Sequence, residues 1–267
     1  MSILLDLIKT RIGSLLRPPQ PAHDACPVCG GRCAHLDSVD FNKSCEELRG
    51  DYLQPSGISV RYSRCMACGF CFAPDIAQWD LDRFSDLIYN QDYVLVDPAY
   101  LDTRPRANAA DLKRMFGNQR QSIRHLDYGG GSGLLSRLLR EDGWSSSSYD
   151  PFVDKDTAIE ELGTFDLVTA YEVFEHVPDP GQLMNNLAAL AKPDGIILFS
   201  TLVSDGHIGP AGSLDWWYAA PRNGHISLYS RDSLGLLATR HGFQFGSFSE
   251  AFHCMWRSIP PWAAHIF

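Results

Sequence analysis

Basic residues are the scarce charge in this chain: 23 Lys and Arg stand against 32 Asp and Glu, for a formal net charge of −9. A field of that sign repels phosphate backbones, and no run of Lys and Arg interrupts it, so nucleic acid is not an expected partner. Long apolar runs are missing too; none approaches the ~20 residues of a membrane-spanning helix. The opening MSILLDLIKTRIGSLLRPPQP repeats Leu and Ile at helical spacing, but Asp6 and Lys9 break the apolar block a secretory signal needs. Residues 1–21 therefore read as a helix docked on its own protein, with a membrane-surface or dimer helix as the alternative, stopped by a stiff linker at Pro18, Pro19 and Pro21. There is no internal repeat, and the one compositionally biased stretch is the four serines at 145–148.

Cysteine, by contrast, is clustered. Eight cysteines without an export signal suit a reducing compartment, where grouped thiols bind metal more often than they form disulfides; the expected location is cytoplasmic. Two C-x-x-C-G turns, Cys26 with Cys29 and Cys65 with Cys68, allow four thiolates to converge tetrahedrally on a structural zinc. The stretch between the pairs is longer than the ~15–20 residues of the compact motif, which leaves room for a hairpin. GISVRYSRC alternates like a strand running into the second pair. Cys33 and Cys71 lie close enough in sequence to be alternative ligands, redox use of the pairs is the competing chemistry, and Cys45 and Cys254 read as buried apolar thiols. Residues 22–78 are thus expected to form a small zinc-ribbon-like subdomain. Residues 79–121 follow as a helical linker (LDRFSDLIYN, then RANAADLKRMFG).

From residue 122 strand and helix patterns alternate: SIRHLDY, LLSRLLRE, SSSSYD, TFDLVTAY, PGQLMNNLAALA, GIILFST, RDSLGLLATRHG and FQFGSFSE. That alternation predicts an α/β fold over 122–267, a doubly wound, Rossmann-like, mostly parallel sheet. Its first strand ends in HLDYGGGSG, where Asp127 precedes Gly129, Gly131 and Gly133. A dinucleotide loop wants G-x-G-x-x-G, but here the third glycine comes one place early. A carboxylate at the strand end repels a pyrophosphate and suits a cationic head such as an amino acid's ammonium.

The stretch HLDYGGGSG resembles the first motif of class I S-adenosylmethionine (SAM) dependent methyltransferases, and three further features fall in order behind it. Asp150, ending SSSSYD, matches the acid that bonds the ribose hydroxyls; FDLVTAYEVFEHVPDP resembles the strand-four motif; LAKPDGIILFST resembles the helix and strand that follow. The resemblance covers roughly residues 122–256 and implies SAM bound by Asp127, Gly129, Gly131, Gly133 and Asp150. The sequence departs from the family in PFVDKDTAIEELGT, too short for a full helix and third strand. Phe152, Ala170 and Tyr171 are therefore the expected adenine contacts. In layout the chain is similar to sugar C-methyltransferases that carry a cysteine-rich, zinc-binding segment ahead of the SAM domain.

SAM-dependent transfer needs a nucleophile in line with the methyl group and a group to take a proton if the acceptor releases one, and histidine titrates in the right range. His176 in EVFEHVPDP follows Glu172 by a helical turn's spacing, so the two share one face if this segment is helical; alternatively His176 only pins the loop. His225 lies in WWYAAPRNGHISLYS, whose crowded aromatic and polar residues read as a substrate-facing lid or wall, with GHIGPAGS as its hinge. A histidine bracing an aromatic corner is the alternative. Tyr89 and Tyr93 either close the pocket or belong to the core. The expectation is a SAM-dependent methyltransferase acting on a small polar acceptor, carbohydrate- or nucleotide-linked by the layout resemblance, with homo-oligomerisation left open. The alternative is a zinc-ribbon module for protein or RNA recognition with a degenerate SAM-like domain.

Overall fold

The computed structural model describes residues 25–209 and 212–267. The expected N-terminal helix, the proline linker, and Pro210 and Ala211 of the expected hinge lie outside the described residues. Strands follow in the order β1 (Cys33–Asp40), β2 (Ser59–Cys65), β3 (Cys71–Phe72), β4 (Arg124–Tyr128), β5 (Ser145–Tyr149), β6 (Phe165–Tyr171), β7 (Ala191–Ser200), β8 (Ser227–Leu228), β9 (Gln244–Ser247) and β10 (Phe252–Trp256). The helices are α1 (Leu81–Leu87), α2 (Tyr93–Val96), α3 (Thr103–Phe116), α4 (Leu134–Glu141), α5 (Pro180–Leu190) and α6 (Arg231–Arg240). None is long and apolar enough to cross a membrane among the described residues.

The chain divides into two compact units, and neither is one contiguous stretch. The first gathers the described residues up to Pro98 with 175–179 and 202–233; the second gathers 99–174, 180–201 and 234–267. This differs from the contiguous order 22–78, 79–121 and 122–267 that the sequence predicts. Strand pairing explains the difference: β3 of the cysteine-rich segment takes β8 as its neighbour, Cys71 opposite Leu228 and Phe72 opposite Ser227. A pairing so distant in sequence leaves no local mark.

The first unit is built on an antiparallel sheet in the order β1-β2-β3-β8. The alternation in GISVRYSRC is realised in β2, which turns Val60 and Tyr62 into the core. Helix α1 starts where the Asp80 side chain accepts the Arg83 amide proton at 2.9 Å, a capping bond that satisfies one orphan donor of the first turn.

The second unit holds a six-stranded sheet in the order β5-β4-β6-β7-β10-β9. Strands β5, β4, β6 and β7 run parallel, and β10 is antiparallel to both its neighbours. This is the mostly parallel α/β architecture the alternation predicts. Between β5 and β6 the described chain carries only a 3-10 turn, Ile159–Leu162, as the shortness of PFVDKDTAIEELGT requires. Leu112 and Phe116 of α3 and Leu135 and Leu139 of α4 form one core with Leu167, Ile196, Leu198 and Cys254 of the sheet. Helix α5 buries Leu183, Met184, Leu187 and Leu190, a stripe at helical spacing, and starts at Pro180, whose missing N–H costs nothing in a first turn. Because Leu187 is fully buried, Leu187→Ala is expected to cost about 2–5 kcal/mol of stability, read as a shifted urea midpoint with an unchanged slope.

Candidate cofactor site and metal centre

Strand β4 delivers Asp127 to the carboxyl edge of the parallel sheet with only 4% of its surface exposed. Thr169 of β6 donates its hydroxyl proton to Asp127 Oδ1 at 2.8 Å. Burial pushes the Asp127 carboxyl up to about 7; the Thr169 bond opposes that rise, and the charge of Asp150 adds to it. The chain then bends tightly. Gly129 sits at φ 74°, and a Cβ there would stand 2.5 Å from Val173 Cγ2. A Cβ on Gly130 would stand 2.2 Å from Ser148 Oγ and 2.7 Å from Asp127 Oδ2, so this glycine, which the sequence pattern did not single out, is required by close approach. Gly131 donates its amide to Asp150 Oδ2 at 2.9 Å, and Gly133 is the N-cap of α4.

Asp150 follows β5, the neighbour of β4, so both carboxylates lie at adjacent strand ends with the glycine loop running between them. Its Oδ1 accepts the Phe152 amide at 2.8 Å, and its own amide donates to Asp154 Oδ2 at 2.8 Å. Those bonds aim the carboxylate and leave further lone pairs open. Phe152 and Tyr171 are half-buried, whereas Ala170 is fully buried in the ladder opposite Phe199. Ser148 Oγ is buried without a protein hydrogen-bond partner. A cavity of about 360 Å³ opens beside Tyr171, walled by Phe248 and Phe252.

Glu172 does not share a helical face with His176. It takes φ 53°, the one positive φ outside glycine among the described residues, and the following 3-10 turn spans Phe174–His176 only. Ser200 holds the kink twice over: its Oγ accepts the Glu172 amide at 2.8 Å and donates to Glu172 Oε1 at 2.7 Å. Arg104 of α3 stands 3.5 Å from Glu172 Oε2.

In the first unit, His225 is buried and its Nδ1 lies 2.8 Å from the Tyr218 carbonyl. A carbonyl only accepts, so Nδ1 carries a proton. Cys45 Sγ is 3.6 Å from the same Nδ1, and Tyr62 donates to the His225 carbonyl at 2.7 Å. The rings of His176 and His225 meet at 4.9 Å, and Tyr218 donates to Glu175 Oε1 at 2.6 Å. Glu175, His176 and His225 have donor atoms within 4.8 Å of one another, and Glu175 is a member sequence reasoning overlooked. The aromatic stretch is interior packing: Trp216, Tyr218, Asn223 and His225 are all buried, and burial lowers the proton affinity of Arg222. Tyr89 and Tyr93 pack edge to face at 5.1 Å, and Tyr93 donates to the Asn223 carbonyl at 3.3 Å, so both are part of this packing.

The four expected thiols do converge. Cys26, Cys29, Cys65 and Cys68 place their sulfurs within 4.8 Å of one another, with Cys26 and Cys68 at 3.7 Å and Cys29 and Cys65 at 3.4 Å. Gly31 fits between them; a Cβ there would be 3.1 Å from Cys29 Sγ and 3.2 Å from Cys65 Sγ. Cys33 and Cys71 stay outside the cluster: their thiols point to the Gly31 and Gly69 carbonyls, and burial pushes both up to about 12, which keeps them protonated.

The sheet order and the helices between its parallel strands define an α/β protein of the doubly wound class, with an acid-and-glycine turn at the carboxyl end of β4. Residues 100–246, more than half of the chain, match the family described as a methyltransferase domain, and the chain belongs to that family. It is 46% identical over 57 residues to ubiquinone biosynthesis O-methyltransferase of Colwellia psychrerythraea, 21% of this chain and 23% of that protein. The counterpart of Vibrio parahaemolyticus is 35% identical over 91 residues, 34% of this chain and 39% of that protein. The matches thus span less than two fifths of these curated relatives. A solved 1,6-didemethyltoxoflavin-N1-methyltransferase of Burkholderia thailandensis, with its substrate and S-adenosylhomocysteine (SAH) bound, is 18% identical over 72% of this chain and 96% of that one, at a TM-score of 0.44.

Asp127 also carries a stability prediction. Its folded carboxyl lies near 7, above the ordinary 3.8, so the folded state binds the proton more tightly and its stability falls as pH rises from about 4 to 7. Asp127→Asn keeps the Thr169 acceptor without the buried charge. In the ligand-free protein the variant is expected to be more stable than the parent at pH 8, by on the order of 2–4 kcal/mol, and to lose that advantage toward pH 4. Urea unfolding at the two pH values checks it.

Proposed function

We propose that the chain is a SAM-dependent methyltransferase acting on a small polar acceptor, carbohydrate-derived or nucleotide-linked, with a structural zinc in its cysteine-rich unit. The observation that carries this reading is the pair of carboxylates on adjacent strand ends: Asp127 buried at a glycine loop and Asp150 held beside it by the Gly131 and Phe152 amides. The residues fit the cofactor, since Ser148 Oγ is a buried polar atom without a protein partner and Gly129 and Gly130 tolerate no Cβ. Membership of the methyltransferase-domain family supports the same conclusion.

When bound, SAM supplies an electrophilic methyl group on a sulfonium centre. Asp127 would hold the ammonium of its methionyl part and Asp150 the two ribose hydroxyls, with Phe152 and Tyr171 on the adenine side; Ala170, closed inside the sheet, drops out of that set. A carboxylate accepting from two vicinal hydroxyls is a recurring solution in nucleotide-binding sheets. The cavity beside Tyr171 has the volume for a small acceptor. His225 is the favoured general base, because an imidazole titrates in the range such a step needs. His176 and Glu172 are the other candidates; the strained backbone of Glu172, pinned by Ser200, is the kind of geometry functional sites retain. Cys26, Cys29, Cys65 and Cys68 supply a closed sulfur set, which suits a structural ion because it leaves no open position.

Calorimetry with SAM and SAH is the decisive test. Binding is expected, and its absence would overturn this reading in favour of a zinc-ribbon recognition module. With an acceptor found by screening a metabolite panel for product formation, His225→Ala should lower turnover ~10²–10⁴-fold while leaving SAH affinity intact. An unchanged rate would remove His225 as the base. Metal analysis of freshly purified protein should give one zinc per chain, lost in Cys65→Ser; a ratio near zero discards the site.

A further inference from the structure

The serine run at 145–148 and a histidine inside the sheet belong to one device. Along β5 Ser146 and Ser148 turn inward while Ser145 and Ser147 are exposed. The parallel register sets Ser146 opposite His125 and Ser148 opposite Asp127, and across the other edge of β4 it sets Asp127 opposite Thr169. His125 is fully buried between them. Its Nδ1 lies 2.7 Å from Ser146 Oγ, and its Nε2 lies 3.0 Å from Thr169 Oγ1, which is itself 2.8 Å from Asp127 Oδ1.

Valence gives this chain a direction. An ionised Asp127 only accepts, so Thr169 donates its single hydroxyl proton to it. The other acceptors in reach of that hydroxyl, the Leu126 carbonyl at 3.4 Å and His125 Nε2 in its alternative tautomer at 3.0 Å, are uncharged and farther away than the carboxylate oxygen. With its proton so placed, the Thr169 oxygen accepts from His125 Nε2–H. Burial lowers the imidazole to about 3, so the ring is neutral and its Nδ1 bare. Nδ1 then accepts the Ser146 hydroxyl proton. Each donor feeds the next, and the series ends on the carboxylate.

We propose that Ser146, His125 and Thr169 form a one-way hydrogen-bond relay that favours the ionised form of Asp127 and aims it at the glycine loop, which makes His125 and Thr169 positioning residues for the cofactor's cationic end. The assignment of that end rests on the function proposed above; the relay itself rests on the geometry. Its need is visible in what surrounds Asp127. The titratable groups facing it are Asp150 beyond β5, Tyr171 on β6 and, through Thr169, His125 on β4. The first repels a carboxylate charge, the second is driven well above its ordinary value partly by Asp127 itself, and the third is neutral. Against burial and the Asp150 charge, the Thr169 hydroxyl favours the charged form of Asp127.

Three measurements on the full chain test the relay. In ligand-free protein, ¹⁵N spectra should show His125 protonated at Nε2 and bare at Nδ1; protonation at Nδ1 overturns the proposal. Titration of the Asp127 carboxyl by ¹³C NMR should move upward in Thr169→Val and in His125→Phe and return toward the parent value in Thr169→Ser. An unmoved titration in a folded Thr169→Val also overturns it, and this near-isosteric pair keeps the test intact should His125→Phe fail to fold. SAH affinity at pH 7 should fall ~10-fold in Thr169→Val, the equivalent of one unit at Asp127, with the loss starting at higher pH than in the parent. Unchanged affinity and pH profile count against the relay. A parent protein that binds no SAH instead sinks the methyltransferase reading, while the two spectroscopic results still decide the relay.

Discussion

A carboxylate taken out of water at the end of a strand is the constraint around which the second unit is organised. Asp127 is nearly inaccessible, and leaving a charge in that position is unfavourable unless hydrogen bonds or a cation meet it. The neighbouring strands answer from both sides, with Thr169 of β6 donating to it and Ser148 of β5 packed against the loop behind it. The glycines are a consequence of the same crowding. Gly129 meets Val173 and Gly130 meets Ser148 and Asp127 itself, so side chains are excluded where the backbone must bend. Local preference, register and burial all converge on one residue.

The first unit solves a different problem. Its sheet includes two strands, β3 and β8, of two residues each, and such a sheet buries little by itself. Two devices tie it together. The four thiols gather the turns at both ends of the cysteine-rich segment, and a buried polar cluster around His225 links Tyr62, Tyr218 and Glu175 through hydrogen bonds. Buried groups of this kind are costly when left unpaired; Tyr62 is met by the His225 carbonyl, His225 by the Tyr218 carbonyl, and the Tyr218 hydroxyl by Glu175.

What the sequence could show was whatever depends on near neighbours. The strand, glycine turn and helix around Asp127, the acid closing β5, the truncated stretch after it and the C-x-x-C pairs are all local patterns, and each reappears in three dimensions. What stayed hidden depends on register between distant strands. His125 and Thr169 looked like ordinary strand residues, because nothing near them in the chain announces that parallel pairing sets them in one row with Asp127. Glu172 looked helical by spacing, and only the Ser200 side chain from another strand shows why its backbone turns left-handed instead. The aromatic stretch before His225 had the composition of a loop, yet it is interior, because its polar groups find partners as remote as Cys45 and Tyr93.

The interleaved course of the chain has a consequence for how the protein is made. A ribosome releases β1, β2 and β3 early, but the unit they belong to also needs 175–179 and 202–233, which emerge only after most of the second unit has been synthesised. The usual economy of vectorial synthesis, an N-terminal domain that folds while the remainder is still being translated, is therefore not open to it. The β3–β8 pairing closes across more than half of the chain, and closures that long are slow. Until then the exposed edge of β3 must be kept from pairing with other nascent chains.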